Sequence, residues 1–402
     1  MKKRVFRILI HVPSSSRERA TPRERTTKRA FSASAGRHRV RYAVVGLGYI
    51  AQIAVLPAFA KAKNSELVAL VSDDPKKLAT LCKKYNVPFR YSYDEYDACL
   101  SSGEVDAVYI ALPNNLHREY TVRACRARVH VLCEKPMAVT ESDCEAMIAA
   151  AKENRTRLMI AYRLHFEEAN MKAVEIARSG KLGNLRAFNS LFTMQVKKGD
   201  VRLQKDLGGG TLYDIGIYCI NAARYIFQAE PVEVFAWSAN NGEKRFEEVD
   251  EMTSAILRFP DERLASFTSS FGASDVSAYQ IVGGEGELRV DPAYEFAGDL
   301  KHRLTIKGKT RDRTFPKRDQ FAPELLYFSD CVINGEEPEP SGREGLADVR
   351  IIRALYHSAA SGKPVKLDEF DRDQRPTIKQ AIHQPPIKKP RLVRAATPTR
   401  EK

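Results

Sequence analysis

A lysine that follows a short apolar run is the residue around which chemistry can be arranged in this sequence. Residues 129–132 (VHVL) are typical of a buried parallel strand, and Cys133-Glu134-Lys135-Pro136 follows them directly. Open α/β sheets bind their ligands at the carboxyl ends of the strands. The pattern therefore places the Lys135 amine in a ligand-binding crevice.

A carboxylate and a phenol further along the chain are spaced to share one face of a helix. Asp214 and Tyr218 follow the flexible run Gly208-Gly209-Gly210, and residues four apart project from the same side of a helix. Beside a lysine, such a pair can hold a substrate hydroxyl and move its proton. Without Lys135 and a cofactor close by, a helix carboxylate and a core tyrosine would be the simpler interpretation.

A glycine-rich loop near the start of the folded chain predicts a dinucleotide site. Residues 41–45 (RYAVV) form an apolar strand pattern, and G-x-G-x-x-A follows before a helix pattern. The first glycine of this motif makes a tight turn, and the second lets the backbone approach a pyrophosphate. The candidate ligands in this loop are Gly46, Leu47, Gly48, Tyr49 and Ile50.

The end of the second predicted strand, residues 67–71, bears on the choice between NADP and NAD. Ser72 follows this strand, and Lys77 lies one turn into the next helix. A hydroxyl and a cation suit the 2′-phosphate of NADP, whereas an acid would favour NAD. Asp73 would be that acid if the strand ended one residue later. We expect NADP, and NAD remains the alternative.

A loop after the next buried strand is expected on the nicotinamide side of the crevice. Residues 106–112 form the strand pattern, which ends at Leu112, and Pro113-Asn114-Asn115-Leu116-His117 follows. Strand placement gives Pro113, Asn114 and His117 a cofactor role. The alternative for the asparagine is capping of the following helix.

The net charge of +14 is concentrated in the two ends of the chain. Residues 1–41 carry +11 and residues 371–402 carry +6, which leaves −3 for the remainder. The positive net charge of the chain therefore does not predict a nucleic-acid partner for the folded part. The basic N-terminal segment is expected to be disordered, with an organelle transit peptide as the alternative.

The cysteines and the hydropathy exclude further classes. Seven cysteines form no C-x-x-C pair and no paired Cys/His spacing, so we expect reduced thiols in a cytoplasmic protein and no metal. No apolar run approaches the roughly 20 residues that a membrane span needs, so no membrane partner is expected.

The order of the patterns predicts α/β architecture followed by α+β. Strands and helices alternate up to residue 161, which predicts an N-terminal Rossmann domain with a doubly wound parallel sheet. Consecutive strand patterns after residue 162 predict an open, mainly antiparallel sheet. The predicted segments are a disordered basic N-terminus (1–39), an NAD(P)-binding domain (40–161), a substrate-binding and oligomerisation domain (162–367) and a disordered basic tail (368–402).

Taken together, these motifs resemble the glucose-fructose oxidoreductase / inositol dehydrogenase / rhizopine-catabolism (GFO/IDH/MocA) family of NAD(P)-dependent sugar oxidoreductases. The resemblance covers about residues 40–367 in order. It rests on Gly46-Leu47-Gly48, Pro113-Asn114, Glu134-Lys135-Pro136, Tyr162-Arg163 and Gly208-Gly209-Gly210…Asp214…Tyr218. Within the family, the pattern resembles that of glucose-fructose oxidoreductase.

The resemblance implies hydride transfer between nicotinamide and a sugar, such as an aldose like glucose. It implies that Lys135 and Tyr218 transfer protons, that Asp214 holds the sugar, and that the peptide before Pro136 is cis. It also implies a homodimer or homotetramer formed through the open sheet face. The remaining cofactor-binding residues that it implies are Ser72, Lys77, Tyr93, Leu112, Pro113, Asn114, His117, Glu134, Lys135 and Arg163.

Two other functions remain open at this stage. The same fold can act on another carbonyl compound, such as an anhydro-ketose or a dihydrodiol. A non-catalytic NAD(P)-sensing regulator could also keep the fold, although it would not need the complete lysine–aspartate–tyrosine set. We expect burial, together with the positive nicotinamide ring, to lower the pKa of Lys135 so that it can act as a base.

Overall fold

The computed structural model describes residues 39–372 and 374–399 of the chain. The predicted disordered segment 1–39 lies outside these residues apart from Arg39. Within the described ranges, no helix is long and apolar enough to cross a membrane.

The first half of the described chain forms a six-stranded parallel sheet, which confirms the predicted Rossmann architecture. Its strand order is β3-β2-β1-β4-β5-β6, so the order reverses between β1 and β4. Doubly wound sheets bind dinucleotides at this reversal. The strands are β1 (Val40–Val45), β2 (Ser65–Val71), β3 (Phe89–Tyr91), β4 (Ala107–Ile110), β5 (His130–Glu134) and β6 (Leu158–Ala161).

Helices cover this sheet, which explains why its central strands are near-continuous apolar runs. The start of one helix is capped by Thr140, whose Oγ1 accepts a hydrogen bond of 3.2 Å from the Asp143 amide. The helical segments are a π-helical turn (Ala51–Val55) continued by α1 (Leu56–Ala58), then α2 (Pro75–Tyr85), α3 (Tyr96–Ser101), α4 (His117–Arg126) and α5 (Glu141–Asn154).

The second half forms a nine-stranded sheet in which only the β7–β10 pair is parallel. The strand order is β14-β13-β12-β11-β7-β10-β9-β8-β15. This mainly antiparallel sheet confirms the second part of the predicted fold class. The strands are β7 (Leu185–Thr193), β8 (Glu233–Ala239), β9 (Met252–Phe259), β10 (Arg263–Ser270), β11 (Val276–Gly283), β12 (Gly286–Val290), β13 (Leu300–Ile306), β14 (Lys309–Phe315) and β15 (Val365–Lys366).

One face of this sheet packs against helices, and the other face exposes apolar side chains. Contacts join α7 to β7 and α9 to β8. On the opposite face, Trp237 is 69% exposed, Ile256 49% and Leu264 48%. The helices of this half are α6 (Glu168–Arg178), α7 (Ile217–Phe227), α8 (Ala322–Asn334) and α9 (Gly342–Ser361).

Four strands were not predicted from the sequence, and a physical reason explains each omission. β3 and β15 are too short, at three and two residues, to show an alternating pattern. β14 (KTRDRTF) is exposed over its first six residues at the sheet edge, where charged side chains discourage pairing with another chain. β12 contains Gly286, which lowers its strand propensity.

The tail from residue 368 differs from the prediction that it is solvated. Arg375 Nη2 lies 3.0 Å from Glu230 Oε1, and Arg372 Nη2 lies 3.4 Å from Glu339 Oε1. Both arginines enter a cluster of buried carboxylates whose charges they compensate. Composition alone described the tail as charged and proline-containing, and it gave no signal for these distant partners.

Candidate active site

Lys135 follows β5 directly and lies at the predicted edge of the sheet. Its Nζ donates hydrogen bonds to the backbone oxygen of Asp214 at 2.7 Å and to Asp214 Oδ1 at 3.2 Å. The peptide bond between Lys135 and Pro136 is cis, as the resemblance implies. The lysine side chain is 13% exposed, so its ammonium is accessible from one side only.

Asp214 lies between two cationic side chains, those of Lys135 and Arg202. It belongs to a π-helical turn, Leu212–Gly216, that continues into α7. Its Oδ2 accepts a hydrogen bond of 2.7 Å from Arg202 Nε, while Oδ1 faces Lys135. Burial raises the pKa of Asp214, but Arg202 and Lys135 outweigh that effect and lower it to about 2. Asp214 is therefore a fixed anion at neutral pH.

The glycine run positions the loop that carries Arg202. The amide of Gly210 donates to the Arg202 oxygen at 2.9 Å, and a Cβ on Gly209 would lie 2.5 Å from the same oxygen. Asn114 Nδ2 donates to the Gly208 oxygen at 2.8 Å. The run therefore lets the backbone of this loop approach closely and ties it to the end of β4.

Tyr218 packs against the cations of the site, as the four-residue spacing from Asp214 predicts. The Nζ of Lys135 is 4.9 Å from the centre of its ring, and Cζ of Arg163 is 5.0 Å from it. Lys135 and Tyr218 line one small cavity. The structure thus brings Lys135, Asp214, Tyr218 and Arg163 together.

The pKa of Lys135 shifts opposite to the expectation. Burial lowers this pKa and is the largest single effect. Tyr218, Asp214 and Glu134 together outweigh burial and raise the pKa above its ordinary value. The expectation was wrong because the sequence did not show how closely anionic groups surround the amine. Lys135 is therefore an ammonium group in this structure.

The glycine loop fits a pyrophosphate, although no ligand is part of the structure. Gly46 has a φ of +89°, and a Cβ there would lie 2.4 Å from the Ala111 oxygen, so folding itself requires this glycine. At Gly48, no atom of the described chain lies within 4 Å of a Cβ. Packing does not require the second glycine, whereas a pyrophosphate approaching the backbone would.

The predicted 2′-phosphate residues lie at the end of β2. Ser72 is buried, and its Oγ accepts a hydrogen bond of 3.4 Å from the Asp74 amide. The Asp73 carboxylate accepts a hydrogen bond of 2.8 Å from the Tyr93 amide. Asp74 caps α2 by accepting from the Lys77 amide at 3.0 Å. The Ser72 hydroxyl and the Lys77 cation favour a phosphate at this end of the site. The carboxylates of Asp73 and Asp74 oppose it.

The loop after β4 has a structural role at two of its predicted residues. Asn114 binds Gly208 and does not cap a helix. His117 is fully buried, and its ring nitrogens lie 2.9 Å from the Leu112 oxygen and 2.8 Å from the Pro136 oxygen. His117 therefore holds the loops of β4 and β5 together beneath the surface. Pro113 precedes the 3-10 turn Asn114–Leu116.

Glu134 and Arg163 support the site from behind. Glu134 accepts a hydrogen bond of 2.8 Å from the Tyr109 hydroxyl, and burial raises its pKa. Arg163 Nη2 donates to the Tyr294 oxygen at 2.6 Å. Leu47 is buried, whereas Tyr49 and Ile50 are half-buried at the start of the helix.

Sequence reasoning missed Arg202 and its partner Asp200. Arg202 Nη1 lies 3.1 Å from Asp200 Oδ1, and its Nε binds Asp214. Both residues lie in a loop with 3-10 turns, where neither helical nor strand periodicity gives a signal. Only the neighbouring glycine run indicated that this loop approaches other backbone closely.

Comparison with known proteins agrees with the fold. Residues 40–162 match the family model described as an oxidoreductase family with an NAD-binding Rossmann fold, and residues 170–289 match the GFO/IDH/MocA C-terminal domain. A D-xylose 1-dehydrogenase [NADP(+)] from Haloarcula marismortui is 32% identical over 336 residues, which cover 82% of this chain and 93% of that protein.

Two solved structures are similar throughout their length. An aldose-aldose oxidoreductase from Caulobacter crescentus is 40% identical with a TM-score of 0.78, over 82% of this chain and 100% of that one. A 3-ketoreductase from Actinomadura kijaniata, in complex with TDP-benzene and NADP, is 27% identical with a TM-score of 0.73, over 80% of this chain and 98% of that one. The chain therefore belongs to the GFO/IDH/MocA family of oxidoreductases.

Proposed function

We propose that this protein is an NADP-linked oxidoreductase that transfers a hydride between nicotinamide and the C1 position of an aldose. The observation that carries this proposal is the Lys135 ammonium held by Asp214 beside the Tyr218 ring. This group lies at the carboxyl edge of the sheet whose first loop is the glycine loop. The names of the xylose dehydrogenase and the aldose-aldose oxidoreductase support an aldose as substrate.

The chain supplies binding, orientation and proton transfer, while bound NADP supplies the hydride acceptor. Lys135, as an ammonium group, donates a hydrogen bond to the sugar oxygen and stabilises the negative charge that develops there. Tyr218 relays the proton: during oxidation its phenol oxygen accepts the sugar hydroxyl proton as its own hydroxyl proton passes to water, and during reduction both transfers run in reverse. Asp214 keeps Lys135 charged and pointed at the sugar, and Arg202 fixes Asp214.

The preference for NADP follows from the residues after β2. Ser72 and Lys77 supply a hydroxyl and a cation for the 2′-phosphate, and Tyr93 orients Ser72. The loop of Gly46, Leu47, Gly48, Tyr49 and Ile50 receives the pyrophosphate. On the nicotinamide side, Leu112, Pro113 and Asn114 line the crevice, and His117, Glu134 and Arg163 position this lining from below.

A substrate panel tests the proposal. Full-length protein is mixed with NADP or NAD and with glucose, xylose, 1,5-anhydrofructose or a dihydrodiol, and reduced nicotinamide is followed by absorbance. We expect aldose-dependent reduction of NADP. Turnover confined to the anhydro-ketose or the dihydrodiol would replace the aldose assignment. Nucleotide binding without turnover of any compound would favour a regulator.

We also propose that the protein assembles as a homodimer or homotetramer through the open sheet face in the cytoplasm. Trp237, Ile256 and Leu264 form an exposed apolar surface that a second copy would bury. All seven cysteines are free thiols, and six of them are buried, which suits a reducing compartment. Light scattering of Trp237→Lys against wild type tests the assembly, because the variant should be smaller.

A further inference from the structure

The C-terminal segment 391–399 runs along the nucleotide-binding end of the molecule. The amide of Val393 donates to Gln52 Oε1 at 2.7 Å, and Gln52 Nε2 donates back to the Val393 oxygen at 2.9 Å. Gln52 lies in the helix that the glycine loop opens, and its Nε2 also binds the Leu47 oxygen at 2.9 Å. The segment is therefore attached to the cofactor loop through one buried amide.

Four residues later, the same segment contacts the other half of the molecule. Lys197 Nζ donates to Thr397 Oγ1 at 2.7 Å, and the Lys197 amide donates to the Pro398 oxygen at 2.8 Å. Lys197 begins the loop that carries Arg202. Four residues span at most about 14 Å, so the segment crosses between the nucleotide domain and the active-site loop over a short distance.

Arg394 is the residue that this crossing places at the ribose end of the site. Its Nε lies 2.6 Å from Asp74 Oδ2, and Asp74 follows Ser72 by two residues. In a dinucleotide fold, the adenosine ribose contacts the end of the second strand. The Arg394 side chain is 58% exposed. It therefore lies where a 2′-phosphate would be bound.

A 2′-phosphate at this position needs a neighbouring cation. The first 390 residues supply this positive charge only in part. The Lys77 amide and then Arg394 hold the pKa of Asp74 below its usual value, so Asp74 is an anion that would repel a phosphate. Arg394 compensates this charge. Its Nη groups make no hydrogen bond within residues 39–372 and 374–399, and a guanidinium binds phosphate oxygens through such paired donors.

We propose that Arg394, delivered by the C-terminal segment, binds the 2′-phosphate and selects NADP over NAD. This assignment rests on the proposed function. The segment lies beyond both family-matched ranges, which end at residue 289. The Caulobacter structure is matched over its entire length by only 82% of this chain.

Calorimetric titration of full-length protein with NADP and with NAD tests the proposal. Arg394→Ala should raise the Kd for NADP about tenfold and change the Kd for NAD less than about twofold, as expected for one charge-assisted contact to the phosphate. Lys389→Ala is the matched control, because Lys389 is an exposed cation of the same tail. It should leave both constants unchanged.

Several results would overturn the proposal. Equal weakening of NADP and NAD by Arg394→Ala would mean that the segment is only structural, and equal effects of Arg394→Ala and Lys389→Ala would mean general electrostatics. An unchanged Kd for NADP, in a protein that still oxidises an aldose, would refute this inference alone. Wild type that binds neither nucleotide would refute the proposed function as well.

A second variant keeps the test informative if Arg394→Ala does not fold. Asp74→Asn preserves the helix cap but removes the carboxylate whose negative charge Arg394 compensates. The Kd for NADP should then fall about threefold relative to that for NAD. An unchanged ratio of the two constants would contradict the proposal.

Discussion

Asp214 binds Lys135 twice, through its backbone oxygen at 2.7 Å and through Oδ1 at 3.2 Å. The contact with the backbone oxygen fixes the position of the ammonium group, and the contact with Oδ1 keeps the lysine protonated. Arg202 Nε binds Oδ2, and the two cations together lower the pKa of Asp214 to about 2, so this carboxylate is a poor base at neutral pH. In the proposed mechanism, Asp214 therefore supports Lys135, and Tyr218 exchanges the proton with the sugar.

Removal of the Asp214 charge should move the pH profile of the enzyme. Asp214 raises the pKa of Lys135, so Asp214→Asn lowers that pKa, and the ammonium form is lost at lower pH. The alkaline limb of kcat/KM should shift towards neutral pH, and kcat should fall about 10- to 100-fold. The profile of aldose oxidation against pH measures both effects.

Asp200→Asn is the control for this profile, because within the described residues Asp200 binds Arg202, whereas the carboxylate paired with Lys135 is that of Asp214. It should leave the alkaline limb in place. Coincident profiles for wild type and Asp214→Asn would show that the carboxylate does not set the charge of the lysine.

The two glycines of the dinucleotide loop should respond differently to alanine. Gly46→Ala introduces a Cβ 2.4 Å from the Ala111 oxygen at a φ of +89°, and it should lower the free energy of unfolding by about 2 kcal/mol or more. Gly48→Ala should change that free energy by less than about 0.5 kcal/mol, yet weaken NADP binding at least about tenfold. Denaturant unfolding and calorimetric titration measure the pair.

A Gly48→Ala variant that binds NADP as wild type does would show that the pyrophosphate lies elsewhere. The unfolding data on the same variant exclude a trivial loss of fold, because nothing in the described chain opposes the added methyl group.

Stability should decline on mild acidification because His130 is held neutral. Burial lowers the pKa of His130 to about 4, and its Nδ1 accepts a hydrogen bond of 2.9 Å from the Arg157 amide. An unfolded histidine titrates near 6.5, so protons favour the unfolded state below that value. The contribution, on the order of 2–3 kcal/mol, is complete above pH 6.5 and is lost as pH falls towards 4.

His130→Asn retains an acceptor for the Arg157 amide without a group that titrates in this range. Urea unfolding between pH 7 and pH 4 should show a smaller decline for the variant than for wild type. Parallel declines would assign the acid sensitivity to other groups, of which His302 is one, since burial lowers its pKa to about 4 as well.

Arg372 should stabilise the fold although it lies in the tail. Its guanidinium is buried with Glu339 and Glu344, and its removal takes one cation away from these buried carboxylates. Arg372→Ala should therefore lower the free energy of unfolding by about 3 kcal/mol. Lys388→Ala, an exposed cation of the same tail, should have no measurable effect. Equal unfolding curves for wild type and Arg372→Ala would mean that the tail does not contribute to stability.

The sequence predicted the parts of the site that local patterns encode. The glycine loop, the strand before Lys135 and the four-residue spacing of Asp214 and Tyr218 each follow from neighbouring residues. Arg202 and Arg394 did not follow, because each reaches its partner from an irregular segment, and Arg394 lies 320 residues from Asp74. Sequence periodicity carries no information about such distant pairs.

The charge of Lys135 could not be predicted for a related reason. Burial was foreseen from the apolar strand, and burial does lower the pKa of Lys135. The opposing effect comes from Asp214, Tyr218 and Glu134, and its size depends on distances that only the fold determines. His117 shows the same limit, since its position in a loop over the crevice predicted contact with the cofactor, whereas the fold buries it under that loop.

In the proposed mechanism, Lys135 acts on the reacting oxygen of the sugar and does not contribute to nucleotide binding. The most direct measurement compares wild type with Lys135→Met by calorimetric titration with NADP and by aldose oxidation. We expect a Kd for NADP within about threefold of wild type, and kcat lower by about 10²- to 10⁴-fold. A variant that keeps its turnover would contradict the account.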